Sequence, residues 1–63
     1  MDLMIENSKI LLEKMSVGCK YSYRELQKIC DFTEPQLCFA ILYLIRAGKI
    51  LQYRESDVVY ELL

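Results

Sequence analysis

The sequence predicts a small α+β fold: three short helices followed by a C-terminal two-stranded β-hairpin, forming one domain over residues 1–63. Three observations lead there. Two cap signals, Ser22-Tyr-Arg-Glu25 and Thr33-Glu-Pro-Gln36, each place a hydroxyl three residues ahead of a Glu or Gln. Apolar residues upstream of Ile50 recur at helical spacing, and those downstream read as strands. The two glycines, Gly18 and Gly48, stand where helices would have to stop.

A first helix, α1, is predicted from about Asp2 to Ser16, closed by Gly18. Ile10, Leu11 and Met15, with Leu3 or Met4 upstream, would face the core, and Leu12 widens the stripe. Glu6, Asn7, Lys9, Glu13 and Lys14 supply its wet side. Cys19 to Tyr21 is a short extended piece, β1. Ser22 then caps a helix of barely two turns, α2: its hydroxyl accepts from the Glu25 amide while the Glu25 carboxylate reaches back. Leu26 and Ile29 form the inner face of α2, with Tyr23 and Cys30 at its margins. Asp31 and Phe32 make a turn, and Thr33 caps the third helix, α3, with Gln36 as its reciprocal partner. Pro35 falls in the first turn, where its missing amide hydrogen costs nothing. Gly48 ends α3, and Arg46 and Lys49 sit near the negative end of its dipole. Two strand-like runs follow, β2 over Ile50–Arg54 and β3 over Val58–Leu62, split by Glu55-Ser56-Asp57.

Size and composition narrow the functional classes. A 63-residue chain buries only about 60% of the surface its unfolded form exposes. Its hydrophobic fraction is 54% with tyrosine counted, and so small a domain has little interior to hide it, so some apolar surface is expected outside. Net charge is −1, with no strongly basic segment to form a phosphate-binding stripe. The three cysteines, Cys19, Cys30 and Cys38, form no C-x-x-C pair, and there is no histidine. That pattern reads as reduced, largely buried thiols in a cytoplasmic protein, with no metal and no cofactor. Asp2 and Glu6 interrupt any signal-peptide pattern. The longest uncharged run, Pro35 to Ile45, is too short to span a bilayer, so no membrane partner is expected.

The order α1-β1-α2-α3-β2-β3 resembles the winged helix-turn-helix family over nearly the whole chain. The resemblance rests on Tyr21-Ser22-Tyr23-Arg24-Glu25-Leu26, on Thr33 through Gln36, and on Leu44-Ile-Arg-Ala-Gly48-Lys49-Ile50. It implies that α3 occupies the place of the helix that enters the major groove, and that the hairpin is the wing, which touches backbone or minor groove.

The side chains of α3 do not suit that role. At about 100° per residue, Leu37, Ala40, Ile41 and Leu44 cluster as the core stripe, with Ile45 at its edge. Cys38, Phe39, Leu42, Tyr43 and Arg46 then point outward, where a reading helix carries polar and basic groups. An apolar face of this kind marks a contact surface, either for self-association as a homodimer or for a protein partner. The competing reading is that α3 is covered all round, with Met1-Asp-Leu-Met-Ile folded over it.

The rival function is a small DNA-binding transcriptional regulator, for which Lys20, Arg24, Lys28, Gln36, Lys49 and Arg54 are the candidate nucleic-acid contacts. The wing argues against it, because Glu55, Asp57 and Glu61 follow Arg54 and would repel phosphates. Enzyme chemistry is not expected. No Gly-rich loop, metal-ligand cluster or nucleophile–base pairing is present, and the chain is too small to enclose a substrate pocket.

Overall fold

The computed structural model describes residues 3–63, with side chains from residue 5 onward. Helix α1 spans Leu3–Lys14. Its buried line runs through Ser8, Leu11 and Met15, with Leu12 packed alongside. Ile10, expected inside, is 39% exposed. Leu11 and Met15 are buried as expected, but the buried line continues through Ser8, one turn before Leu11, and Ile10 falls beside it. Asp2 and the side chains of Leu3 and Met4, which the sequence placed at the start of this helix, lie outside the described residues. Gly18 turns the chain at φ +84°, and the Ser16 amide donates to the Tyr21 hydroxyl at 2.8 Å, tying the end of α1 to the next strand.

Strand β1 is Lys20–Tyr21, and α2 spans Tyr23–Cys30. The capping box forms as the sequence indicated: the Glu25 amide donates to Ser22 Oγ at 3.2 Å, and the Ser22 amide donates to Glu25 Oε1 at 3.0 Å. Leu26 is fully buried, which stabilises by roughly 1.5–3 kcal/mol. Ile29, also expected inside, is 39% exposed. A helix of eight residues buries a narrow line, and Leu26 and Cys30, one turn apart, take it. Asp31 then adopts a left-handed conformation, φ 56°, and its amide donates to the Gln27 carbonyl. This stops α2 without a glycine, as aspartate tolerates that region better than most residues.

Helix α3 spans Glu34–Arg46. Thr33 and Gln36 form its capping box, with the Thr33 amide donating to Gln36 Oε1 at 2.9 Å. Phe32 and Leu37 occupy the two positions of a hydrophobic staple around this cap; Leu37 belongs to the core and Phe32, partly buried, packs against it. Two backbone bonds close the other end: Gly48 N–H to the Ile45 carbonyl at 3.0 Å and Lys49 N–H to the Leu44 carbonyl at 2.9 Å. That pair is a Schellman motif, which requires the positive φ of Gly48, +73°.

Strands β2, Ile50–Arg54, and β3, Val58–Leu62, form the expected hairpin. The sheet, however, has three antiparallel strands in the order β1-β3-β2, not two. Lys20 pairs with Glu61 and Tyr21 with Tyr60, on the side of β3 away from β2. The free edge of β3 carries backbone donors and acceptors that need partners, and the short extended piece supplies them. The domain is thus a small α+β unit of three helices and a three-stranded antiparallel sheet. Ile50 and Tyr60 contribute the inner face of the sheet to the core formed with Leu11, Met15, Leu26, Leu37, Ala40, Ile41 and Leu44.

Candidate functional site

Helix α3 has two contrasting sides. Leu37, Ala40, Ile41 and Leu44 are all at most 3% exposed, and Ile45 packs at the edge of the core, as the periodicity indicated. Cys38, Phe39, Leu42, Tyr43 and Arg46 are all exposed. Phe39 is 57%, Leu42 50% and Tyr43 36% exposed, so among the described residues no segment closes over this side. Phe39, Leu42, Tyr43, Arg46 and Ala47 line an open concavity of about 560 Å³. Ala47 was not among the residues singled out from sequence. It is the last residue before the closing glycine and lies one turn beyond Tyr43, which was the available signal. Among the described residues Arg46 is the only charge in this lining, at the C-terminal end.

The candidate nucleic-acid contacts are scattered and partly engaged. Lys20 is ion-paired with Glu55, and its Nζ lies 5.9 Å from the centroid of the Tyr53 ring. The hydrogen bond to Glu55 raises the Lys20 pKa above the usual lysine value. Gln36, the one residue near the start of α3 suited to reading a base, uses its side-chain oxygen in the cap. Arg24 and Lys28 are exposed one turn apart on α2. Lys49 is exposed just past α3, and Arg54 closes β2. These six residues thus come from α2, from both ends of α3 and from the sheet.

Of the three thiols, all free, Cys19 and Cys38 are exposed and only Cys30 is partly buried, so the expectation of largely buried cysteines is corrected. A chain this small lacks the interior to hide them. Burial pushes the Cys30 thiol up, partly offset by Lys14. Burial also raises Tyr60 and Tyr23, and Tyr23 uses its hydroxyl to donate to the Glu34 carbonyl at 3.1 Å, linking α2 to the start of α3. Among the described residues, no group of three or more Cys, Asp or Glu is arranged to hold a metal ion, and no helix is long and apolar enough to cross a membrane.

Comparison with protein-family models, with curated proteins and with solved structures finds no match.

Proposed function

We propose that this chain is a winged-helix module that acts by contact, not catalysis, and that the outer face of α3 joins two copies into a homodimer. One observation carries the reading: Phe39, Leu42 and Tyr43 stand together in solvent on a helix whose opposite face is sealed in the core. Contiguous apolar exposure of this kind marks an association surface, and Phe and Tyr are favoured anchors there. The helical pair α2–α3, the tight turn at Asp31–Phe32 and the hairpin that follows support the winged-helix assignment. The capture of Lys20 by Glu55 and of Gln36 by the helix cap weighs against a duplex as the ligand of this face.

Covering a half-exposed Phe, Leu or Tyr gains roughly 1–1.5 kcal/mol each. Six such side chains in a symmetric pair supply about 6–9 kcal/mol, little more than the lower estimates of the cost of association. The dimer is therefore expected to be weak and reversible, dissociating at about millimolar concentrations. Sedimentation of the wild type across that range should show a monomer–dimer equilibrium that Phe39→Glu abolishes while helix content is unchanged. A wild type that stays monomeric at the highest concentration would overturn the reading.

A further inference from the structure

Strand β2 lies at the end of the sheet, so one of its edges has no neighbouring strand. The hydrogen bonds that flank the hairpin fix which groups this edge presents. Leu63 N–H donates to the Lys49 carbonyl and Glu55 N–H to the Asp57 carbonyl, both at 3.0 Å. Bonded and non-bonded pairs alternate along an antiparallel ladder. In the register Leu51–Glu61 and Tyr53–Val59, those two residues of β2 therefore bond to β3. The backbone N–H and C=O groups of Gln52 and Arg54 point the other way, along the free edge. Pairing runs from Ile50 to Arg54 without a bulge, and the strand holds no proline, two common protections of an edge. On the sheet's outer surface, Leu51, 45% exposed, stands beside Tyr53. An exposed cation marks each end, Lys49 and Arg54, and among the described residues neither is in an ion pair. The nearby acids are engaged: Glu55 by Lys20, Asp57 by the Val58 amide and Glu61 by the Tyr53 hydroxyl.

We infer that this edge binds an extended acidic segment of a partner protein, added to the sheet as a fourth strand antiparallel to β2. The main chain of the guest closes bonded pairs with Gln52 and Arg54. Apolar side chains two residues apart on the guest cover Leu51 and Tyr53. A carboxylate at each end meets Arg54 and Lys49. A second copy of β2 fits less well. In the fully overlapped antiparallel register it sets Lys49 opposite a Glu55 that Lys20 already holds, and Arg54 opposite the buried Ile50, so neither cation gains a partner. None of these edge residues lines the α3 concavity.

The test follows the backbone amide resonances of isotope-labelled Phe39→Glu protein, in which the α3 contact is removed. The probe is the acetylated, amidated peptide Glu-Val-Thr-Val-Thr-Glu, titrated to about 5 mM because an edge contact this short is weak. The Gln52 and Arg54 amides should shift saturably, and those of Leu51 and Tyr53, already bonded to β3, much less. Replacing the first threonine of the peptide by proline removes the amide that meets the Gln52 carbonyl and should abolish binding. Lys49→Glu/Arg54→Glu should weaken binding by about tenfold at low salt and favour Lys-Val-Thr-Val-Thr-Lys instead, with helix content unchanged. Absence of saturable shifts, equal binding of the lysine-flanked peptide without those two substitutions, or shifts centred on Leu42 and Tyr43 would overturn the assignment. Shifts at Gln52 that grow with protein concentration alone would make a second copy the occupant and overturn it as well. None of these outcomes depends on whether the wild type dimerises.

Discussion

Lys20, on the two-residue strand β1, forms an ion pair with Glu55 in the turn of the β2–β3 hairpin, 35 residues away in sequence. The pair reaches across the outer surface of the sheet, over Tyr53, whose hydroxyl donates to Glu61 at 2.7 Å. It ties the shortest strand to the hairpin and takes Lys20 out of the cations available to an external anion.

The same cluster predicts a one-sided pH dependence. The Glu55 hydrogen bond raises the pKa of Lys20, and the Glu61 hydrogen bond raises that of Tyr53. Both groups hold their proton more tightly when folded. Their contribution is therefore complete below the unfolded values, ~10.4 for lysine and ~10 for tyrosine, and is lost as pH rises through the folded ones. Tyr23 and Tyr60, raised by burial, act in the same direction. Urea midpoints should show no loss from these groups between neutral pH and about 9, and should then fall above about 10. The fall should be smaller in Lys20→Met/Tyr53→Phe; an equal fall in that variant would place the alkaline transition elsewhere.

Local chemistry made most of the element plan legible. Ser22 with Glu25 and Thr33 with Gln36 marked two helix starts, and the strands of the hairpin lie at the residues their composition indicated. The inward and outward sides of α3 were equally readable, because Leu37, Ala40, Ile41 and Leu44 recur over a full 13-residue helix. The misplaced residues, Ile10 and Ile29, lie on helices whose apolar stripes admit more than one rotation, which only packing decides. The third strand and the Lys20–Glu55 pair depend on contacts between distant parts of the chain, and no short window of sequence encodes them.

Substitutions on the two sides of α3 should separate folding from association. Leu37 is fully buried, so Leu37→Ala removes packed volume and should destabilise by about 2–5 kcal/mol, a large loss for so small a domain. Leu42, half exposed, should change monomer stability by less than about 0.5 kcal/mol when cut to Ala, yet weaken self-association. Chemical denaturation at low protein concentration, where dimers contribute nothing, checks the first pair of values. Equal destabilisation by the two variants would contradict the assigned faces.

Gly48 offers a test of how α3 is terminated. A Cβ built there meets nothing within 4 Å, so Gly48→Ala creates no steric contact with the rest of the fold. Its φ of +73° is nevertheless in the left-handed region, which costs an L-residue roughly 1–2 kcal/mol. The expected loss is of that size, with Gly48→Asn milder. Thr33→Ala, which removes the hydroxyl that accepts from the Gln36 amide, should cost about 1 kcal/mol at the opposite end. A neutral Gly48→Ala, measured by denaturation, would mean the Schellman bonds can be remade with another backbone geometry.

Duplex binding supplies the remaining prediction. Non-specific affinity for DNA grows with the number of phosphates a protein neutralises, and each contact steepens the dependence on salt. Here the net charge is −1, Lys20 is held by Glu55, and Arg54 is followed by Glu55 and Asp57 at the hairpin tip. Arg24 and Lys28 on α2 are left as a basic pair on one helix face, enough for about two phosphate contacts. Binding to a random duplex should therefore be weak even at ~10 mM salt and vanish near physiological ionic strength. The logarithmic salt slope should lie near −2, where a groove-reading domain with six to ten contacts gives far steeper values. Arg24→Gln/Lys28→Gln should abolish what binding there is without altering sedimentation. A steep slope that survives this double substitution would instead locate a phosphate surface elsewhere and restore a duplex as the ligand.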